Sequence, residues 1–148
     1  MTRILIADDI PANSYLLESI LKGYGFEVIV TKNGAEALDA ARSNPPDLII
    51  TDILMPVMDG FELCRRWKAD DRLKSVPFIF YTATYTDQKD EQLAKSLGAD
   101  RFIVKPQKPE DLVQAVREVL SEAREGSPGT GDETEILRQY SQVLFHKL

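Results

Sequence analysis

The sequence contains only one cysteine and one histidine among its 148 residues, and this scarcity excludes several kinds of site. A single cysteine, Cys64, rules out an internal disulfide and a cysteine-rich zinc site. Cys64 falls beside Leu63 and Trp67 in a segment with helical spacing, so we interpret it as a core or half-buried thiol and not as a nucleophile. His146 is third from the end, and we therefore expect no Ser-His or Cys-His catalytic pair in the main domain.

Long hydrophobic runs and blocks of basic residues are also missing. No stretch approaches the roughly 20 apolar residues that a membrane-spanning helix needs, and residues 1–6 lack the pattern of a signal peptide. The net charge is −6, which argues against nucleic acid or an anionic membrane surface as the main partner. We expect a cytoplasmic protein that binds neither directly.

What the chain does have is a regular alternation of apolar runs and helical patterns. Five short apolar runs predict strands: Ile4–Ala7, Phe26–Val30, Leu48–Ile50, Val76–Tyr81 and Arg101–Val104. Helical patterns follow Pro11, Asn33-Gly34 and Asp59-Gly60, run from about Asp87 to Leu97, and begin again at Pro109. Parallel strands need right-handed crossovers, so the pattern predicts an α/β fold with a doubly wound five-stranded parallel sheet.

The composition changes after residue 123. Residues 124–132 are rich in glycine and in polar and charged residues and predict a flexible linker. Residues 133–148 turn helical again, with Leu137, Tyr140 and Leu144 spaced three and four apart. Two interpretations stay open, a frayed tail and a connector or coiled-coil helix that leads to a domain absent from this chain. We take residues 1–123 as the main domain.

Polar side chains follow four of the five predicted strands at the point where each ends. Asp8 and Asp9 follow the first strand, Asp52 the third, Thr82 the fourth and Lys105 the fifth. In an open α/β sheet these strand ends meet at one edge, where ligands bind. Carboxylates crowded there would repel one another unless a cation neutralised them. Mg²⁺ suits such a site, because it accepts one or two carboxylates and completes its shell with water and phosphate oxygens.

With Mg²⁺ present, the carboxylate of Asp52 can act as a nucleophile that accepts a phosphoryl group as an acyl phosphate. Lys105 would supply a positive charge to a phosphoryl oxygen, and the Thr82 hydroxyl and the Ala83 amide could donate hydrogen bonds. Each residue alone has a simpler interpretation, such as helix capping or a solvated charge. Their convergence at the strand ends favours the functional interpretation.

The order and spacing of these motifs resemble the receiver domain of two-component response regulators over residues 1–123. The matching features are Asp8-Asp9, Asp52 followed by Met55-Pro56 and Asp59-Gly60, Thr82-Ala83, and Lys105-Pro106. The resemblance implies a flavodoxin-like (βα)5 fold with strand order 2-1-3-4-5.

The resemblance also implies roles for individual residues. Asp52 would be the phosphoacceptor, Lys105 would bind the phosphoryl group, and Mg²⁺ would be held by Asp8, Asp9, Asp52 and the backbone carbonyl of Leu54. Such a domain is a phosphoacceptor that assists its own phosphorylation and slow dephosphorylation, and it is not an enzyme acting on other substrates. The implied partners are a histidine kinase or histidine phosphotransfer protein, a downstream effector or kinase domain, and a second copy in a homodimer.

The resemblance further implies a conformational switch. Thr82 would swing towards the phosphoryl group and Phe102 on the fifth strand would fill the space that it leaves. The Lys105-Pro106 bond would be cis, which suits a proline in a tight turn. We also expect the aliphatic Leu54, near the acceptor together with Thr84, to leave an attacking water unoriented and so to prolong the life of the phosphoryl group.

Three other interpretations compete with a phosphorylated receiver. A phosphatase or mutase with an aspartyl nucleophile carries an Asp-x-Asp pattern, whereas here Leu54 stands two residues after Asp52. A flavin-binding module needs a loop that cradles phosphate, and Asp8-Asp9 would repel a phosphate without a metal. A receiver-like interaction module that works without phosphorylation remains the alternative.

Overall fold

The computed structural model describes residues 1–126, in which five strands alternate with five helices. The strands are β1 (Arg3–Ala7), β2 (Glu27–Thr31), β3 (Leu48–Thr51), β4 (Phe78–Thr82) and β5 (Arg101–Val104). The helices are α1 (Pro11–Gly23), α2 (Gly34–Ser43), α3 (Gly60–Ala69), α4 (Gln88–Ser96) and α5 (Pro109–Gly126). The predicted alternation is confirmed.

The largest shift in a strand boundary is at the start of β4. We predicted a strand from Val76, but it begins at Phe78. The carbonyl of Val76 accepts a hydrogen bond from the indole Nε1 of Trp67 at 3.1 Å, and its amide donates to Leu73 at 2.9 Å. Val76 therefore belongs to the connection after α3 and not to the sheet.

The sheet is entirely parallel, with strand order β2-β1-β3-β4-β5 as predicted. All four residues of β3 are buried, because β3 lies in the middle of the sheet with helices on both faces. The strand order reverses between β1 and β3, and ligands of open α/β sheets bind beyond the strand ends at such a point. Asp8 and Asp52 follow these two strands.

The core has two parts, one on each face of the sheet. Leu5, Phe78 and Phe80 point to the face covered by α2, α3 and α4, where they meet Trp67. Ile4, Ile6 and Ile79 point to the other face, where residues of α1 and α5 cover them. Alternation along each strand thus places successive side chains on opposite faces, and helices cover the core residues on both faces.

The start of α3 is fixed against the backbone that directly follows β3. The side chain of Asp59 caps the helix by accepting a hydrogen bond from the amide of Glu62 at 2.9 Å. The amide of Gly60 donates to the carbonyl of Ile53 at 2.8 Å. A Cβ atom at Gly60 would collide with the backbone carbonyl of Asp52, so this position requires glycine.

The last helix extends beyond the predicted end of the main domain. Helix α5 continues through Gly126, three residues into the segment 124–132 that we predicted as a linker. The rest of that segment and the predicted helix 133–148 lie outside the described residues. Among residues 1–126, no helix combines the length and the apolar character needed to cross a membrane.

Candidate functional site

Asp8, Asp52 and Lys105 meet at the carboxyl edge of the sheet. The ammonium Nζ of Lys105 lies 3.1 Å from Oδ2 of Asp8 and 3.2 Å from Oδ2 of Asp52. All three side chains are mostly buried, with exposed fractions of 16% for Lys105, 6% for Asp8 and 9% for Asp52. One cation thus bridges two carboxylates that come from strands adjacent in the sheet.

Backbone amides hold the second oxygen of each carboxylate. Oδ1 of Asp8 accepts a hydrogen bond from the amide of Ile10 at 2.9 Å, and Oδ1 of Asp52 accepts one from the amide of Ile53 at 2.6 Å. Each carboxyl group therefore has one oxygen fixed by the main chain and one directed at Lys105. This leaves little rotational freedom at the predicted acceptor.

Lys105 stays charged in this environment. Burial lowers the pKa of Lys105, but attraction from Asp52 and Asp8 and hydrogen bonds to both outweigh it, so the pKa lies above the ordinary lysine value. The backbone amide of Lys105 donates to the carbonyl of Thr82 at 2.8 Å. The following bond, Lys105-Pro106, is cis as predicted.

The donor set fits a hard divalent cation. Asp8 and Asp52 already bring one oxygen each to a single positive charge, the Lys105 ammonium. Mg²⁺ prefers such carboxylate oxygens and needs only one or two of them. Within the described part of the chain, no three side chains of the metal-binding types form a complete metal cage. Asp9 is exposed and outside the contact with Lys105.

Thr82 faces the loop between β4 and α4. Its side chain is completely buried, and its Oγ1 accepts hydrogen bonds from the amides of Thr84 at 3.2 Å and Tyr85 at 3.3 Å. The hydroxyl oxygen therefore binds two amides of this loop. The loop conformation and the Thr82 side chain depend on each other.

Phe102 lies on β5 opposite Phe80 of β4 and is half-buried. The two ring centroids are 6.3 Å apart, Phe80 lies 5.6 Å from Phe61, and Phe61 lies 5.8 Å from Tyr85. A chain of four aromatic rings thus runs from Phe102 to Tyr85, in the loop whose amides bind Thr82. The two predicted switch residues are linked by packing, although nothing in their sequence positions shows the intermediate rings.

The loop after Asp52 contains a strained turn that the sequence did not reveal. The amide of Met58 donates to the carbonyl of Pro56 at 2.7 Å, which encloses Val57 in a γ-turn. Val57 has a φ of +69° and is 84% exposed, and a β-branched residue rarely adopts this conformation. Leu54, in the same loop, is 54% exposed.

Cys64 is fully buried in the core, as predicted. Burial raises the pKa of its thiol to about 12. A thiol of this kind is not a nucleophile at neutral pH. His146 lies outside the described residues.

A family model and the curated relatives of this chain point to the same protein family. The model of the response regulator receiver domain matches residues 4–117. The DNA-binding response regulator MtrA of Mycolicibacterium smegmatis is 41% identical over 115 residues, which is 78% of this chain and 49% of MtrA. Protein PilH of Pseudomonas aeruginosa is 34% identical over 121 residues, 82% of this chain and 99% of PilH. The chain spans about half the length of MtrA and nearly all of PilH.

Solved structures show the same fold. The signal receiver domain of a signal transduction histidine kinase from Syntrophus aciditrophicus is 38% identical, with a TM-score of 0.76 over 82% of this chain and 92% of that one. The receiver domain of a sensor histidine kinase from Pseudomonas aeruginosa is 28% identical, with a TM-score of 0.75 over 81% of this chain and 98% of that one. The latter structure has a magnesium ion coordinated in its active-site cleft.

Proposed function

The chain belongs to the response regulator receiver domain family, and on this premise we propose that it is a Mg²⁺-dependent signalling switch that is phosphorylated on Asp52. The observation that carries this proposal is the bridge from Lys105 to Asp8 and Asp52. It joins a nucleophilic carboxylate, a second carboxylate for a metal and a fixed positive charge at the strand ends. These are the components that phosphoryl transfer to a carboxylate requires.

The proposed donor is a phosphohistidine of a histidine kinase or histidine phosphotransfer protein. A carboxylate oxygen of Asp52 attacks phosphorus, and a P–O bond forms while the P–N bond to the imidazole breaks. The imidazole keeps the electron pair of that bond and takes a proton from solvent. Lys105 exchanges its contact with Asp8 for a phosphoryl oxygen and holds the group in place.

Asp8, Asp9, Asp52 and the backbone carbonyl of Leu54 would hold the metal. When bound, Mg²⁺ supplies positive charge that neutralises the phosphoryl oxygens. One observation supports this assignment: the oxygens of Asp8 and Asp52 already share one cation. Asp9 directly follows Asp8 in the chain and is exposed. The protein acts as a phosphoacceptor that assists its own phosphorylation and slow dephosphorylation.

The proposed switch starts at Thr82. After phosphorylation its hydroxyl would leave the amides of Thr84 and Tyr85 and donate to a phosphoryl oxygen. The loop would lose two hydrogen bonds and Tyr85 would shift. Because aromatic rings connect Tyr85 to Phe102, the position of Phe102 would change with it.

The output would pass to a downstream effector or kinase domain, or to a second copy of the chain. MtrA is described as DNA-binding, whereas the Syntrophus aciditrophicus receiver belongs to a histidine kinase, so receivers of this kind serve different outputs. We propose the cytoplasm as the site of action, because the kinases that produce phosphohistidine use ATP there.

Mass spectrometry tests the proposal directly. The protein is incubated with Mg²⁺ and acetyl phosphate, and the intact mass is compared with that of Asp52→Asn treated in the same way. We expect one added phosphoryl group in the wild type and none in the variant. No addition to a wild type that demonstrably binds Mg²⁺ would contradict the proposal and support the module that works without phosphorylation.

A further inference from the structure

Lys105 has a long side chain, and its ammonium group must lie close to Asp52 to bind a phosphoryl oxygen there. Lysine has four rotatable bonds and loses rotamer entropy when it is fixed in one conformation. Its contacts with Asp8 and Asp52 use oxygens that a metal would also use. A contact that attracts the ammonium without using a carboxylate would keep it in place when Mg²⁺ arrives.

Tyr81 provides such a contact. The Lys105 Nζ lies 5.2 Å from the centroid of the Tyr81 ring, within the roughly 6 Å over which a cation and an aromatic face attract each other. The Lys105 side chain is only 16% exposed, and the attraction is stronger where water is excluded. An aromatic face accepts no conventional hydrogen bond, so the N–H groups of the ammonium stay available for oxygen atoms.

The fold makes this contact rigid. Tyr81 is on β4, hydrogen-bonded in register with Ile103 of β5, and packs on the sheet face covered by α1 and α5. The next residue, Thr82, accepts the backbone hydrogen bond from Lys105 at 2.8 Å. The two ends of Lys105 are therefore both held by the end of β4. Tyr81, Lys105 and Asp8 also border one cavity of about 330 Å³.

We propose that Tyr81 is a positioning residue, which holds the ammonium of Lys105 at the phosphoacceptor through its aromatic face. The proposal rests on the proposed function in so far as Lys105 binds the phosphoryl group. The contact between Tyr81 and Lys105 should change the affinities for two ligands in opposite directions. The ring keeps the ammonium near Asp8 and Asp52, so it opposes Mg²⁺, which competes for those oxygens. The same ring favours a phosphoryl group, which needs the ammonium there.

The test compares Tyr81→Leu with Tyr81→Phe, which keeps the aromatic face and removes only the hydroxyl. The matched control is Tyr24→Leu, because Tyr24 also makes a tyrosine–cation contact, to Arg117 at 5.8 Å, and belongs to the connection after α1. Mg²⁺ affinity is measured by calorimetry. Affinity for beryllofluoride, a tetrahedral mimic of an acyl phosphate, is measured by fluorine NMR at saturating Mg²⁺. Thermal unfolding of each variant confirms that it is folded.

For Tyr81→Leu we expect Mg²⁺ to bind about threefold more tightly and beryllofluoride about fivefold more weakly. Tyr81→Phe and Tyr24→Leu should both stay within about twofold of the wild type. A structural role alone would weaken both ligands in Tyr81→Leu, and that result would overturn the proposal, as would unchanged affinities. If the wild type binds no beryllofluoride, the proposed function fails, but tighter Mg²⁺ binding in Tyr81→Leu alone would still support the role of Tyr81.

Discussion

The backbone amide of Gly34 donates a hydrogen bond of 3.0 Å to the backbone carbonyl of Met58. Gly34 is the first residue of α2, and Met58 belongs to the loop that follows Asp52. The start of α2 therefore fixes the loop that carries the predicted metal ligand Leu54. The two backbones can approach this closely only because Gly34 has no side chain.

Gly34→Ala should destabilise the protein and displace this loop. A Cβ atom there would lie 2.7 Å from the carbonyl oxygen of Met58, so the backbones must separate. We expect a loss of about 1–3 kcal/mol in the free energy of unfolding and phosphorylation of Asp52 slower by roughly tenfold. Urea denaturation and the rate of labelling by acetyl phosphate measure the two effects.

Gly23→Ala is the control for this substitution. Gly23 is the last residue of α1, and a Cβ atom there would meet nothing within 4 Å beyond the adjoining backbone. Alanine should leave stability unchanged or raise it by up to about 1 kcal/mol. Equal losses in Gly23→Ala and Gly34→Ala would contradict the assignment of a special contact to Gly34.

Val57→Gly should stabilise the protein. Val57 has a φ of +69°, which is unfavourable for a β-branched residue and accessible to glycine. Relief of this strain should exceed the entropy that glycine adds to the unfolded chain, for a net gain of about 0.5–1 kcal/mol. Val57→Ala retains a Cβ and should gain less. A decrease in the urea midpoint of Val57→Gly would show that the turn is not strained.

Lys105→Met should destabilise the metal-free protein, and Mg²⁺ should reverse much of the loss. The substitution leaves the buried carboxylates of Asp8 and Asp52 without their cation and hydrogen-bond donor, at a cost of about 1–3 kcal/mol in the free energy of unfolding. Lys68→Met is the control, since Lys68 lies 3.5 Å from Asp100, whose side chain is 40% exposed, and should lose less than about 1 kcal/mol. A Lys105→Met deficit that Mg²⁺ does not reduce would contradict a shared cation site.

The contribution of Lys105 to the free energy of unfolding should decrease at high pH. The pKa of Lys105 in the folded protein is raised, so its stabilising effect is fully present below the pKa of an unfolded lysine, about 10.4. The effect is lost as the pH rises through the folded value. The difference in unfolding free energy between wild type and Lys105→Met should therefore shrink above pH 10.4 or so. A difference in unfolding free energy that grew at high pH would contradict a raised pKa for Lys105 in the folded protein.

Leu54→Asn should shorten the lifetime of the phosphoryl group. Leu54 is aliphatic and 54% exposed in the loop after Asp52, so it offers no hydrogen bond to an attacking water. An amide at this position should orient such a water and speed dephosphorylation by roughly tenfold. Val57→Asn introduces the same group three residues later and is the control. An unchanged rate in Leu54→Asn would end this hypothesis.

The sequence predicted the sheet and much of the site for a simple physical reason. Parallel strands place their carboxyl ends at one edge, so Asp8, Asp52 and Lys105 were expected at the same edge once the strands were recognised. The strand order that brings them together was implied by the family resemblance. The contacts of Tyr81, Gly34 and Val57 could not be predicted in this way. They depend on the path of loops and on side-chain packing across elements, which no residue spacing specifies. The aromatic connection between Phe102 and Tyr85 escaped prediction for the same reason.

The length and direction of α5 have a consequence for any signal that leaves this domain. The helix begins after β5, on the side of Asp52, and its 18 residues extend about 27 Å at 1.5 Å per residue. Leu120, Ala123 and Arg124, near its end, border a cavity together with Thr2 and Pro77, which precede strands β1 and β4. The end of α5 therefore lies on the side of the sheet opposite the acceptor. A signal that leaves through the end of α5 would have to be carried by this helix from the acceptor edge of the sheet to the opposite edge.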